Sequence, residues 1–74
     1  MTTAYELWET RTGNLMDSFG SREEALLAVA EVIRRYGPSY VDSVVLISAY
    51  GDESKEIATG ADLAEIACPP RAVL

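Results

Sequence analysis

Two short apolar runs, separated by a turn-forming segment, open the chain. Residues 5–10 and 15–19 are rich in aromatic and aliphatic side chains, and Gly13 and Asn14 lie between them. Glycine adopts a positive φ at no steric cost and asparagine tolerates it, so the segment is typical of a short hairpin loop. The pattern therefore predicts a β-hairpin.

The register of this hairpin follows if Thr10 pairs with Asn14. Trp8 then lies opposite Met16, and the two-residue alternation of the strands sorts the side chains onto two faces. One face carries Tyr5, Leu7, Leu15 and Phe19. The other face carries Trp8 and Met16 among the polar residues Glu6, Thr10, Asn14 and Ser18.

A helical pattern begins at Ser21, which is spaced to form a capping box with Glu24. Gly37 and Pro38 end the pattern, because glycine accepts the left-handed conformation of a C-cap and proline cannot continue a helix. Between these limits, apolar residues recur at three- and four-residue intervals. They predict an inward-facing stripe of Leu26, Val29, Ala30, Ile33 and Tyr36.

The second half of the chain predicts a loop, two strands and a short helix. The loop at 39–43 leads into 44–50, whose β-branched and aliphatic residues are typical of a strand. A charged edge strand at 55–59 and a possible helix at 61–67 follow. Both faces of the strand at 44–50 are apolar, with Val45, Ile47 and Ala49 on one and Val44, Leu46 and Tyr50 on the other.

These elements predict one small α+β domain over residues 1–74, with an ordered core at about 4–67 and a loose tail at 68–74. The order is ββαββ. A crossover through the helix makes the third strand parallel to the second, so the third strand lies antiparallel beside the first. The predicted sheet is antiparallel and four-stranded in the order 2-1-3-4, with one helix on one face and a possible short C-terminal helix.

The predicted sheet has two apolar faces and only one helix to cover them. An uncovered apolar face is larger than the patches that monomers usually expose, so we expect a protein–protein interface there, with a homodimer as the favoured assembly. The residues predicted to form this interface are Trp8, Met16, Leu46 and Tyr50. Two other interpretations of Trp8 stay open, an ordinary core residue and a platform for stacking on a nucleotide base.

The charge balance limits the kinds of partner. Twelve acidic and six basic side chains give a net charge of −6, a field that repels phosphate and predicts no nucleic-acid partner. The acidity itself has two interpretations. It keeps a small protein in solution, or it faces a basic protein partner that the chain neutralises, as an antitoxin or an inhibitor does.

Candidate catalytic residues are scarce. The chain has no histidine, and its one cysteine, Cys68, lies beside two prolines with no neighbouring base. Glu23 and Glu24 are accounted for by helix capping, and the turn at 51–54 offers too few oxygen ligands for calcium. We therefore expect a non-enzymatic protein without a catalytic residue, a metal or a cofactor.

The sequence also bears on localisation. The longest uncharged apolar run, 44–50, is far shorter than the roughly 20 residues of a membrane helix, and the first residues lack the basic start and apolar core of a secretory signal. A single cysteine forms no internal disulfide, which suits a reducing compartment. The expectation is a cytoplasmic protein with no membrane partner.

Two segments carry a family resemblance. Trp8 with the Thr12-Gly13-Asn14 turn, and the helix start Ser21-Arg22-Glu23-Glu24-Ala25-Leu26, are similar to short uncharacterised bacterial ββαββ proteins. These proteins share a W-x(n)-(S/T)GN hairpin and a T/S-x-E-E-A-L helix. The arrangement also loosely resembles HicB-type antitoxins, which usually add a strand before the helix and often a DNA-binding tail, features not found in this sequence. The resemblance spans about residues 5–60 and transfers no functional residue.

Overall fold

The computed structural model describes residues 2–68 and confirms the predicted α+β fold. Four strands form one antiparallel sheet in the order β2-β1-β3-β4. The elements are β1 (Ala4–Glu9), β2 (Asn14–Phe19), α1 (Arg22–Tyr36), a 3₁₀ helix (Pro38–Ser43), β3 (Val44–Tyr50), β4 (Glu53–Thr59) and α2 (Gly60–Ala67). The predicted loose tail, from residue 69 onward, lies outside the described residues.

The hairpin register differs from the prediction in the half nearer the turn. Tyr5 pairs with Phe19 as predicted, but Trp8 pairs with Leu15, so the predicted pairing of Trp8 with Met16 is wrong. Met16 is instead the extra residue of a β-bulge in β2. Because the bulge shifts the alternation by one residue, Leu15 shares a face with Trp8 and not with the core residues.

The reason for this shift lies in the turn. The amide and the hydroxyl of Thr10 both donate to the carbonyl of Ser43, at 2.7 Å and 3.0 Å, so Thr10 is held by the 3₁₀ helix and does not pair with Asn14. Glu9 pairs with Asn14 in its place. The loop is therefore one residue longer than predicted, and the bulge in β2 absorbs the difference.

Helix α1 begins and ends where the sequence predicts. Oγ of Ser21 accepts a hydrogen bond from the amide of Glu24 at 3.1 Å. The return contact differs from the predicted capping box, since the Ser21 hydroxyl donates to Oε1 of Glu24 at 3.3 Å. At the other end Gly37 has a φ of 92°, and its amide donates to the carbonyl of Ile33 at 2.7 Å.

The buried stripe of α1 is centred on Ala25 and Val29, which are fully buried. Leu26 and Ile33 pack at the margin of the core. The sequence predicted a stripe that included Leu26 but not Ala25, so the helix is rotated slightly from its predicted orientation.

The segment at 39–43 lies within the 3₁₀ helix rather than in the predicted loop. Val41 is its buried residue, with 1% of its surface exposed. Tyr40 stacks on Tyr36 with ring centroids 5.0 Å apart. Tyr36 was predicted to face the core, and this is wrong: it is 63% exposed and pairs with Tyr40 outside the core.

The core occupies one side of the sheet only. The three helical segments and three of the strands contribute its buried residues, which are Leu7, Ala25, Val29, Val41, Val44, Leu46, Ala58 and Leu63. The predicted C-terminal helix is confirmed as α2, and Leu63 is completely buried within it. All of the described helices therefore lie on the same face of the sheet.

Candidate protein-interaction face

The other face of the sheet carries the candidate functional surface. Paired residues of neighbouring strands have their side chains on the same face, and Trp8 pairs with Val45 on β3 and with Leu15 on β2. We call this surface the helix-free face. It comprises Glu6 and Trp8 on β1, Leu15 and Ser18 on β2, Val45, Ile47 and Ala49 on β3, and Ser54, Glu56 and Thr59 on β4.

Trp8 lies on the helix-free face at the end nearer the hairpin turn, in one row with Leu15, Val45 and Thr59. Its partner Val45 is only 7% exposed, although it lies outside the main core cluster. The indole Nε1 donates a hydrogen bond to Oε1 of Glu6 at 3.1 Å. The polar atom of Trp8 is thus satisfied, and the residue is half-buried.

The helix-free face mixes apolar and acidic side chains. Leu15 is 48% exposed, and Ile47 and Ala49 are half-buried on β3. The charged members of the face are Glu6 and Glu56, which pair with Ile47 from either side, so two carboxylates lie in the middle row of the face. Exposed aromatic and aliphatic groups among polar ones are the composition of a protein-binding surface.

The structure separates the residues that were predicted to form the interface. Trp8 lies on the helix-free face. The placement of Leu46 there is wrong, because Leu46 is completely buried in the core next to the helices. Strand β3 directs Val44 and Leu46 toward the side of the sheet that carries the helices. Both of its alternating sets are apolar, so the sequence pattern could not choose between them.

Met16 and Tyr50 lie at opposite ends of the domain. Met16 is 38% exposed in the β2 bulge and lines an open cavity next to Tyr40 and Ser43. Tyr50 is 51% exposed at the end of β3 and lines a shallow depression with Lys55. The four predicted interface residues therefore do not form one patch.

Three residues of the helix-free face were missed, namely Leu15, Val45 and Ile47. The alternation along β3 did group Val45 with Ile47, and the pairing of Trp8 with an odd-numbered β3 residue would have placed them beside it. Leu15 could not be predicted in this way, because its position depends on the bulge, and no residue type in β2 indicates a bulge there.

The cavity that Met16 lines lies between the hairpin turn and the 3₁₀ helix and has a volume of about 440 Å³. Glu9 faces it, but its carboxylate is already engaged: it accepts from the hydroxyl of Thr12 at 2.8 Å and from the amide of Arg11 at 2.8 Å. The Thr12 hydroxyl, followed by the Arg11 amide, holds the pKa of Glu9 below its ordinary value. This carboxylate stabilises the turn.

Within residues 2–68, no group of three or more carboxylate or thiol side chains is arranged to hold a metal ion. Cys68 is an exposed free thiol, and its amide donates to the carbonyl of Ala64 at 2.8 Å. Neither described α-helix has the length and apolar content needed to cross a bilayer.

No protein-family model matches the chain, and neither a curated protein nor a solved structure matches it.

Proposed function

We propose that the protein is non-enzymatic and acts by contact with protein, and that a second copy of the chain binds its helix-free face. The observation that carries this proposal is the position of Trp8, which is hydrogen-bonded to Glu6 and half-buried on a face to which no described helix contributes a buried residue. An indole that is fixed before binding loses little conformational entropy on contact, which is why tryptophan anchors so many interfaces. The single cysteine suits such a protein in the cytoplasm.

The size of the helix-free face limits the strength of its contact with a second copy. Four strands of six or seven residues give an outline of about 19 Å by about 21 Å, or roughly 400 Å². Two complete outlines amount to about 800 Å², which is below the range of about 1,200–2,000 Å² that specific, stable interfaces bury. The whole face is needed, and the dimer should be weak.

Sedimentation over a range of protein concentrations tests this proposal. We expect a reversible dimer of the wild-type protein and at least about tenfold weaker association for Ile47→Glu, which places a third carboxylate between Glu6 and Glu56. Leu27→Glu is the matched control, because Leu27 is 71% exposed but lies on α1, away from the helix-free face. A compact monomer at every concentration, or equal effects of the two variants, would contradict the proposal.

A basic protein partner is the second candidate, because both charged groups of the helix-free face, Glu6 and Glu56, are acidic. The two candidates differ in the sign of their salt dependence. A dimer of two chains with a charge of −6 should strengthen as salt screens their repulsion, whereas a complex with a basic partner should weaken. Titration with a lysine-rich amphipathic peptide provides the probe, with Glu6→Gln and Glu56→Gln as variants that should lose its binding.

A further inference from the structure

A second surface with exposed apolar side chains runs along α1, on the helix side of the sheet. Leu27 is 71% exposed, the largest fraction among the large apolar residues of the described chain. It borders two neighbouring depressions, of about 260 Å³ and about 350 Å³, which both also touch the C-terminal end of α2. We call this surface the α1 groove, and its α1 side is formed by Glu23, Leu27, Ala30, Glu31 and Arg34.

The larger depression has the arrangement of a hole in helix-to-helix packing. In such packing, a side chain of one helix enters a space that is framed by four residues of the other helix, one turn and two turns apart. Leu27, Ala30, Glu31 and Arg34 have this spacing, and all four line the depression. Because the alanine is small, the hole has room for a large aliphatic side chain from an approaching helix.

The charges at the two ends of the α1 groove have opposite signs. Glu23, in the first turn of α1, is exposed and forms no ion pair with any residue from 2 to 68. At the other end, the carboxylate of Glu31 pairs with both Arg34 and Arg35, so this end keeps one positive charge. The groove therefore has an acidic end and a basic end.

These charges select the orientation of a bound helix. Helices favour acidic residues in their first turn and basic residues in their last turn, because of the helix dipole. A helix that lies antiparallel to α1 brings its basic end to Glu23 and its acidic end to Arg34, whereas a parallel helix would place like charges together at both ends. Charge complementarity therefore favours the antiparallel orientation.

We propose that the α1 groove binds an amphipathic helix of a partner protein, antiparallel to α1. The helix places a large aliphatic side chain in the hole at Ala30, a basic residue beside Glu23 and an acidic residue beside Arg34. This is the helix-in-groove mode of recognition, in which the anchoring residues recur at intervals of three and four. The α1 groove and the helix-free face lie on different sides of the sheet, so this inference does not depend on the proposed self-association.

Titration of the protein with two synthetic helical peptides, followed by NMR, tests this inference. Both peptides are rich in alanine and carry one leucine. The matched peptide has a glutamate about one turn before the leucine and an arginine about two turns after it, and the second peptide has these two charges exchanged. We expect the matched peptide to bind at least about tenfold more tightly and to shift the methyl resonances of Leu27 and Ala30. Equal binding of the two peptides, or binding of neither, would overturn the inference.

Variants of the protein locate the binding surface. Leu27→Glu should lose the matched peptide, whereas Leu15→Glu, which changes an exposed leucine on the helix-free face, should keep it. Exchange of the two end charges, in the double variant Glu23→Arg with Arg34→Glu, should reverse the preference between the peptides. A loss of folding alone would not produce that reversal.

The remaining outcomes identify other occupants of the groove. Peptide-induced shifts at Trp8 in place of Leu27 would assign peptide binding to the helix-free face. Weaker self-association of Leu27→Glu in sedimentation, without peptide binding to the wild type, would assign the α1 groove to a second copy of the chain. Either result would overturn the partner helix.

Discussion

The indole nitrogen of Trp8 donates to the carboxylate of Glu6, two residues earlier on the same strand, at 3.1 Å. Residues two apart on a strand share a face, and this hydrogen bond fixes the indole nitrogen toward Glu6 along β1, at the strand position that pairs with Val45. The contact therefore links a local strand geometry to the surface that we propose as the interface.

Removal of this acceptor should loosen the tryptophan. We expect Glu6→Ala to lower the free energy of unfolding by about 1 kcal/mol, because the bond is partly buried and its acceptor is charged. Trp8 is the only tryptophan, so its fluorescence reports this site alone, and its anisotropy should fall in the variant. Glu6→Gln keeps an acceptor oxygen and should retain most of the wild-type anisotropy. Equal anisotropy in all three proteins would show that the ring is held by packing alone.

The buried Leu46 and the exposed Leu27 should respond very differently to truncation to alanine. Leu46 is completely buried, and Leu46→Ala should cost about 2–5 kcal/mol through the cavity it leaves. A chain of 74 residues has a total stability of roughly 4–11 kcal/mol, so much of the domain's stability would be lost. Leu27 is 71% exposed, and Leu27→Ala should change stability by less than about 0.5 kcal/mol. Urea denaturation of both variants measures the difference, and similar losses would contradict the orientation of β3 described here.

Leu46 also shows which parts of the fold can be predicted from the sequence and which cannot. Local chemistry is sufficient for the helix limits, since Ser21 and Gly37 act within a single turn, and for the strand order, which follows from connection rules. The choice of which face of β3 meets the helices is different. It depends on packing between residues far apart in the chain, and a strand that is apolar on both faces carries no signal for it.

The candidate site was predictable only in part for a related reason. Trp8 was placed on the uncovered face because its polar neighbours alternate with core residues along β1. The position of Leu15 depends on the bulge at Met16, and that bulge follows from the hydrogen bonds between Thr10 and Ser43. These two residues are 33 positions apart, so no local pattern reports their contact.

Gly37 should tolerate substitution far less well than Gly20. The backbone of Gly37 has a φ of 92° and a ψ of 161°, a region that is populated almost exclusively by glycine. Gly37→Ala should therefore cost about 1–3 kcal/mol, even though a Cβ there would meet no atom within 4 Å. Gly20→Ala is the control, since Gly20 has no positive φ and its Cβ would make only an ordinary contact with the Glu24 carboxylate at 4.0 Å. Thermal unfolding of the two variants tests this, and equal melting temperatures would show that strain at Gly37 is absent.

Glu9 should give the domain a component of pH-dependent stability. Its pKa is lowered in the folded state by the hydroxyl of Thr12 and then by the amide of Arg11, which both donate to the ionised carboxylate. A lowered folded-state pKa means that the unfolded chain takes up the proton more readily. The stabilising contribution is therefore complete above the ordinary glutamate pKa of about 4.5, and it is lost as the pH falls through the lower, folded-state value.

Glu9→Gln should remove this component, so the stability of the variant should fall less steeply as the pH is lowered. Glu65→Gln, at an exposed position of α2, should keep the wild-type profile because it leaves the hairpin turn intact. Urea denaturation of the three proteins between pH 3 and pH 7 provides the measurement. An unchanged acid limb in Glu9→Gln would mean that the turn retains its hydrogen bonds without the charge.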